Sequence, residues 1–223
     1  MRSITRTIWL IRHAESASNA GAATEHPATI PLSSRGEEQA RLLGHRFPRK
    51  PERVIVSRYS RTRETAGPLL ERFPDCPVEE WPIHELTFLE PARYRGTTEA
   101  QRKGPSSRYW EVCEPAYKDG PGAESYHEFV DRVRSSMERL SAGMEEFTAV
   151  FTHGYFIKAI LWEILTSSAL AAEKSMRGFA GFHDTVPIEN AAVFPVRLDH
   201  AGAWHVGKPW APPYHQFPAA GVI

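Results

Sequence analysis

The chain has 223 residues and no formal net charge, because 27 Lys and Arg side chains balance 27 Asp and Glu side chains. A general nucleic-acid binder would show a basic excess, so the charge balance argues against that class. No apolar stretch reaches membrane-spanning length, and the N-terminus lacks the long apolar core of a signal peptide. Cys76 and Cys113 have no metal-ligand spacing, and nothing indicates a disulfide between them. We therefore expect one cytoplasmic domain over residues 1–223.

Three short apolar runs are typical of strands buried on both faces of a sheet. They cover residues 8–11, 54–56 and 149–151. A cationic or imidazole side chain follows each run: Arg12 and His13, then Arg61, then His153. In open α/β sheets, ligands bind outside the carboxyl ends of the strands. The spacing therefore predicts a site that holds a phosphate dianion and attacks it with an imidazole.

Helix signals separate these runs. Ser33 or Ser34 is a candidate N-cap, and Ser34 with Glu37 has capping-box spacing. A second helix is expected after Ser60, with Arg61 near its N-terminus, where backbone N–H groups favour an anion. Ser125 and Glu128 form another capping-box pair, and an apolar helix is expected after Gly154. Helices between apolar strands predict a three-layer α/β/α sandwich with a mostly parallel central sheet.

Two regions depart from this alternation. Residues 87–122, here called the cap segment, mix Pro, Gly, charged and aromatic residues without clear periodicity, so we expect irregular structure there. Residues 192–196 and 204–206 flank a turn and predict a β-hairpin at the sheet edge. The Pro-rich tail from Lys208 is expected to pack irregularly over the body.

Five segments, in order along the chain, resemble the motifs of the histidine phosphatase superfamily, which has the phosphoglycerate mutase-like fold. They are residues 12–16 (Arg-His-Ala-Glu-Ser, with Asn19 downstream), 31–40, 57–66, 122–125 and 152–154. The third segment departs from the family pattern, since Arg58-Tyr59 replaces Pro-Leu and Glu64 replaces Gln. The resemblance implies a phosphatase or mutase whose cap segment covers the pocket and sets substrate choice.

The resemblance and the chemistry of phosphate esters together suggest a role for each candidate. His13 is the expected nucleophile, because a neutral imidazole can form a phosphohistidine. Arg12 and Arg61 are expected to clamp the phosphoryl oxygens with their guanidinium forks. His153 is expected opposite His13, donating to another oxygen. Asn19 and Gly154 complete the expected substrate-binding set.

The leaving group needs a proton, which one carboxyl group can supply and later recover. The resemblance places this acid shortly after a strand, so Glu85 is the first candidate and Glu90 the competitor. Glu15 belongs to the first motif and is expected to be structural. The spacings of His183, His200, His205 and His215 match no compact zinc pattern. His183 alone lies near a segment, around Asn190, that is expected to approach the pocket.

Three functions fit these residues. The first is a phosphatase that hydrolyses phosphomonoesters without a metal or other cofactor. The second is a phosphomutase, ranked lower because the Glu-Arg-His-Tyr-Gly segment of the glycolytic mutases is missing around Glu85. The third is a non-catalytic binding protein on the same fold. The expected partner is a small-molecule phosphate ester or a phosphoprotein, with neither nucleic acid nor membrane involved, and the oligomeric state stays open.

Overall fold

The computed structural model describes residues 6–166 and 172–212, and six strands in these ranges form one mixed sheet. The strands are β1 (Arg6–Arg12), β2 (Arg53–Ser57), β3 (Val78–Trp81), β4 (Phe147–Thr152), β5 (Val193–Leu198) and β6 (Trp204–Val206). Their order across the sheet is β3-β2-β4-β1-β5-β6. The β3-β2-β4-β1 pairings are parallel, whereas β5 and β6 pair antiparallel at one edge. The mostly parallel sheet and the edge hairpin are therefore confirmed.

Helices cover both faces of this sheet, as predicted. They are α1 (Ser34–His45), α2 (Ser60–Arg72), α3 (Glu99–Val112), α4 (Tyr126–Ala142), α5 (Gly154–Thr166) and α6 (Ala172–Thr185). Successive side chains of a strand point to opposite faces, so β1 contributes to two hydrophobic clusters. Ile8 and Leu10 pack with residues of α4 and α5, whereas Ile11 packs with residues of α1 and α2. One cluster lies on each face of the sheet, between the sheet and the helices covering that face, so helices, sheet and helices form three layers.

The helix starts agree with the sequence in two places and differ in one. Ser125 and Glu128 form the expected capping box at the start of α4. Ser33 caps α1 by accepting a hydrogen bond from the backbone N–H of Gly36. The Ser34–Glu37 capping box is wrong, because Ser33 occupies the extended N-cap position and Ser34 is already the first residue of the helix.

The expectation of an irregular cap segment is also wrong. A 3₁₀ turn covers Pro91–Tyr94, and α3 follows with a capping box between Thr98 and Gln101. The helix escaped prediction because only Arg102 and Tyr109 are buried along it, so it lacks a continuous apolar stripe.

The remaining expectations concern the tail, the cysteines and the membrane. Trp210 and Val193 exchange two backbone hydrogen bonds, so the start of the tail pairs with β5, and residues 213–223 lie outside the described ranges. Cys76 and Cys113 are both buried free thiols. Among the described residues, no helix is long and apolar enough to span a membrane.

Candidate active site

The sheet brings the ends of its two central parallel strands together. Arg12, the last residue of β1, is paired with Thr152, the last residue of β4, and the His13 N–H donates to the Thr152 carbonyl at 2.9 Å. A cleft of about 850 Å³ opens at these ends. Four of the predicted catalytic residues line it: Arg12, His13, Arg61 and Glu85.

His13 is held in one orientation by the backbone next to it. Its Nδ1 lies 2.7 Å from the Ala14 carbonyl oxygen, and a carbonyl only accepts, so Nδ1 carries the proton. Burial lowers the pKa of His13 well below its usual value, and the nearby cations Arg61 and Arg12 lower it further. The ring is therefore neutral at pH 7, with the lone pair on Nε2. That is the form an attacking imidazole needs.

Arg61 lies in the first turn of α2, and its side chain reaches the cleft, where it contacts Pro27 and His153. Its Nη1 donates to the Pro27 carbonyl at 2.8 Å, and its Nη2 donates to Nδ1 of His153 at 3.0 Å. The guanidinium also lies over the Tyr59 ring, 4.9 Å from its centroid. Arg61 is thus fixed in place as a cation at the floor of the cleft.

His153 lies beside His13, with ring centroids 5.1 Å apart, but it is fully buried and lies beneath the cleft surface. Its Nδ1 accepts from Arg61, so Nε2 carries the proton and donates to the Ser57 hydroxyl at 2.8 Å. Burial, followed by the charge of Arg61, lowers the pKa of His153 well below its usual value. Arg61 therefore occupies Nδ1 of His153, and Ser57 occupies Nε2. His153 can donate to a phosphoryl oxygen, as the sequence predicts, only after Arg61 has released Nδ1.

Arg12 also lines the cleft and is partly held by the backbone. Its Nη1 donates to the Ile188 carbonyl, whereas its buried Nε has no hydrogen-bond partner among the described residues. Gly154, the first residue of α5, lies alongside: a Cβ added there would be 3.6 Å from this Nε and 3.9 Å from Glu85 Oε2. The Arg12 guanidinium and the Glu85 carboxyl therefore flank the start of α5.

Glu85 is anchored by the same helix start, because the Tyr155 N–H donates to its Oε1 at 2.9 Å. Burial raises the pKa of Glu85, and the cations Arg61 and Arg12 oppose that rise. A carboxyl group with a raised pKa, set beside an anion site, is suited to carry a proton.

The two other candidate glutamates are placed differently. Glu90 does not line the cleft, and its backbone N–H donates to Asp119. Glu15 accepts from the Ser33 hydroxyl at 2.7 Å and lies 3.7 Å from Arg35. Those contacts join the first motif to α1, in line with the structural role expected for Glu15.

Asn19 lines the cleft, but its side-chain oxygen is already occupied. It accepts from the Ser16 hydroxyl at 2.9 Å and from Nδ2 of Asn190 at 3.1 Å. Asn190 Nδ2 also donates to the His13 carbonyl at 3.2 Å, so the segment around Asn190 does reach the site. Only the amide nitrogen of Asn19 is left to donate to a ligand.

The cleft also contains side chains that the sequence did not single out. Arg102, 6% exposed, donates to the Thr97 carbonyl at 2.6 Å and lies over the Tyr94 ring. Lys158, 7% exposed, donates to both the carbonyl and Nδ1 of His183. Lys158 could have been noticed in the sequence, because it is a lysine among the apolar residues of the predicted helix after Gly154.

Metal-ligand clusters are not seen in residues 6–166 and 172–212: no three His, Cys, Asp or Glu side chains lie close enough to hold an ion. His205 is on the edge hairpin and bonds Asp199, while His183 faces the cleft. His215 lies outside the described residues.

The chain is similar to known proteins in sequence. The model of the histidine phosphatase superfamily (branch 1) matches residues 8–178. The chain is 27% identical to the adenosylcobalamin/alpha-ribazole phosphatase of Salmonella typhimurium, covering 73% of this chain and 81% of that protein. It is also 27% identical to a probable phosphoglycerate mutase of Serratia proteamaculans, covering 75% and 78% respectively.

A solved structure shares the fold. The phosphoserine phosphatase of Entamoeba histolytica, in complex with phosphoserine, aligns with a TM-score of 0.68 and covers 92% of this chain and 96% of its own. Its sequence identity is 17%, so this likeness concerns the fold alone.

Proposed function

Because the chain belongs to branch 1 of the histidine phosphatase superfamily, we propose that it is a metal-independent phosphatase of phosphomonoesters that works through a phosphohistidine on His13. The observation that carries the proposal is the hydrogen bond from Nδ1 of His13 to the Ala14 carbonyl. It leaves a neutral ring with its Nε2 lone pair in the cleft that Arg12 and Arg61 also line.

In the first step, Nε2 of His13 attacks phosphorus and the bond to the ester oxygen breaks. Arg12 and Arg61 neutralise the charge that spreads over the phosphoryl oxygens. Glu85 gives its proton to the departing oxygen, which leaves as an alcohol. The enzyme then holds a phosphoryl group on His13 and a carboxylate at Glu85.

In the second step, water attacks the phosphohistidine and Glu85 takes a proton from that water. Inorganic phosphate leaves, and His13 and Glu85 return to their starting states. The same carboxyl group thus serves as acid and then as base.

His153 enters this scheme through Arg61. When Nη2 of Arg61 turns to a phosphoryl oxygen, Nδ1 of His153 loses its donor. A proton on Nδ1, with the Ser57 hydroxyl then donating to Nε2, would supply a further donor beneath the phosphoryl group. Ser57 is buried and bonded to Thr62, so it is positioned to support either tautomer.

The substrate is expected to be a small-molecule phosphate ester, with the cap segment contributing to substrate choice through Tyr94 and Arg102 in the cleft wall. We also propose a cytoplasmic location, supported by the two free cysteines.

The test is phosphate release from an alkyl phosphate in the presence of a chelator, comparing His13→Ala with the wild type. We expect His13→Ala to lose at least about a thousandfold in kcat, because the nucleophile is gone. Acid-quenched wild-type enzyme should carry a phosphoryl group on His13 by peptide mass spectrometry. His205→Ala, on the edge hairpin away from the cleft, is the matched control and should keep full activity.

Three outcomes would contradict the proposal. Near-normal turnover by His13→Ala would remove the nucleophile from the scheme. Loss of activity on chelation, with recovery on adding one divalent ion, would contradict metal independence. Transfer of the phosphoryl group back to an alcohol acceptor in preference to water would indicate a mutase instead.

A further inference from the structure

The cleft is lined by more cationic side chains than the proposed reaction needs to bind one phosphoryl group. Among residues 6–166 and 172–212, five cationic side chains and two carboxylates line it: Arg12, Arg61, Arg102, Lys103 and Lys158, with Glu85 and Glu99. The proposed function assigns the first two arginines and Glu85 to the phosphoryl group. Three cations and one carboxylate then remain around the rest of the cleft, where the leaving group would lie.

Lys158 is the cation among these that is least well explained by the fold. It lies on α5, one turn after Gly154, and is 7% exposed. Its Nζ donates to the His183 carbonyl at 2.8 Å and to Nδ1 of His183 at 3.0 Å. An ammonium has three N–H donors, so one is left over. No carboxylate in the described ranges lies within salt-bridge distance of Nζ.

His183 holds this lysine without neutralising it. Its ring stacks on Tyr155 at a centroid distance of 4.1 Å, which fixes the orientation of Nδ1 toward Lys158. Burial and the charge of Lys158 lower the pKa of His183 to about 4, so the ring is neutral at pH 7 and accepts from the ammonium. Only neutral acceptors bond the buried ammonium directly, while the Glu85 and Asp184 carboxylates act on it at longer range, so an anion bound beside it would offset the cost of burial.

The position of Lys158 relates it to the phosphoryl site. Arg12 Nε would lie 3.6 Å from a Cβ at Gly154, one turn before Lys158 on α5, and both cations line the cleft, so they share its side at the start of this helix. The Glu85 carboxyl lies at the start of the same helix. A group bound to Lys158 would therefore belong to the part of the substrate that leaves with the proton from Glu85.

We propose that Lys158, held by His183, forms a second anion subsite, and that the preferred substrates are phosphomonoesters whose leaving group carries an anionic group of its own. This inference rests on the proposed function, since it describes the leaving group of that reaction. It separates acidic phosphate esters from neutral ones such as simple alkyl or sugar phosphates.

The test uses a matched series of three-carbon phosphates: propyl phosphate, the same chain ending in a carboxylate, the same chain ending in a second phosphate, and the same chain ending in an ammonium. In the wild type, we expect kcat/KM for the anionic substrates to exceed that for propyl phosphate by about 10-fold or more, the size of a charge-assisted hydrogen bond. The ammonium substrate should fall below propyl phosphate. The carboxylate and phosphate arms show which anion the subsite prefers.

Lys158→Met should abolish most of this advantage, reducing kcat/KM for the anionic substrates about 10-fold more than for propyl phosphate. Lys158→Arg, which keeps the charge, should restore much of the preference. Lys118→Met is the matched control: it removes an exposed lysine paired with Glu128, outside the cleft, and should leave the preference unchanged.

A wild type that treats propyl phosphate and the carboxylated substrate alike would overturn the subsite. An equal loss on all substrates in Lys158→Met would also overturn it, because that result assigns Lys158 to the fold or to the phosphoryl group. If no member of the series is hydrolysed, the proposed function fails, and calorimetry still decides the subsite. Propylphosphonate and its carboxylated analogue should then differ in affinity for the wild type and not for Lys158→Met.

Discussion

Replacing Glu85 with glutamine keeps the shape of the side chain and removes its ability to donate an acidic proton. The amide oxygen of the introduced side chain can still accept the hydrogen bond from the Tyr155 N–H, which in the native protein is 2.9 Å from Oε1. The substitution therefore keeps the local backbone anchor and removes the acid of the first step and the base of the second. A loss in the first step, which kcat/KM reports, would then be an effect of the missing proton.

The size of the effect depends on the leaving group. An alkoxide is a strong base and needs the proton as its bond to phosphorus breaks, so Glu85→Gln should lower kcat/KM for an alkyl phosphate by about 10²–10⁴-fold. This constant reports only the transfer to His13, whereas kcat also includes the second step, in which Glu85 is the base for both substrates. The oxide of an activated aryl phosphate is already stabilised and scarcely needs protonation. The same variant should lose less than about 10-fold in kcat/KM on that substrate.

The pKa of Glu85 predicts a pH dependence with a definite sign. Burial raises this pKa above its ordinary value, against the opposing charges of Arg61 and Arg12. The group must be protonated to act as an acid, so kcat/KM for the alkyl phosphate should fall as pH rises through the raised pKa. This alkaline decline should be absent for the aryl phosphate and absent from Glu85→Gln.

Glu90→Gln is the matched control, because Glu90 lies in the same stretch of chain and does not line the cleft. It should be mild on both substrates. The assay is steady-state phosphate release from both substrates, with kcat/KM measured from acid to alkaline pH. Equal losses in kcat/KM for Glu85→Gln on the two substrates, or a larger selective loss for Glu90→Gln, would refute the assignment.

Two further predictions concern stability. The pKa values of His84 and His183 fall to about 3 and about 4 in the fold, so below pH 6.5 the unfolded chain binds more protons and stability drops. These two histidines should contribute about 3 kcal/mol to the loss of stability that urea unfolding shows between pH 7.5 and pH 5.5. His13 and His153 add to that loss because their pKa values are also lowered, and a flat profile would contradict the argument. Gly36→Ala should cost more than about 2 kcal/mol, because its Cβ would lie 2.0 Å from the Glu15 carbonyl oxygen. Gly181→Ala in α6, where a Cβ meets nothing within 4 Å, should instead stabilise by up to about 1 kcal/mol, and equal effects of the two changes would refute the steric argument.

The sequence predicted the sheet well because its central strands are buried on both faces. Such strands are continuous apolar runs, and the side chains just beyond them must lie at one edge of a parallel sheet. The strand ends can be recognised from short stretches of sequence, and this was enough to predict that Arg12, His13 and Arg61 lie in one cleft. It failed at α3, where the buried positions include Arg102, since an inward-facing arginine breaks the apolar periodicity that marks a helix.

The partners of the site residues were beyond sequence reasoning for a different reason. A hydrogen bond between Lys158 and His183 joins positions 25 residues apart, and the one between Ser57 and His153 joins positions 96 apart. Neither spacing has a periodicity to read, because the first contact depends on how α5 packs against α6 and the second on the pairing of β2 with β4. Charge type was visible in the sequence, but the group that each charge faces was not.

The hydrogen bonds of the free site also bear on how it binds phosphate. Arg61 donates to His153 and to the Pro27 carbonyl, so part of its guanidinium is already satisfied by the protein. Two of its five N–H groups are engaged, so an incoming phosphoryl group can accept from the others, and it gains the engaged N–H of Nη2 only by replacing the bond to His153. The bonds to His153 and Pro27 hold Arg61 in place before the substrate arrives, so less side-chain entropy is lost on binding. Replacement of the bond to His153 also links Ser57 to phosphate affinity, because the tautomer of His153 can change only if the Ser57 hydroxyl changes from acceptor to donor.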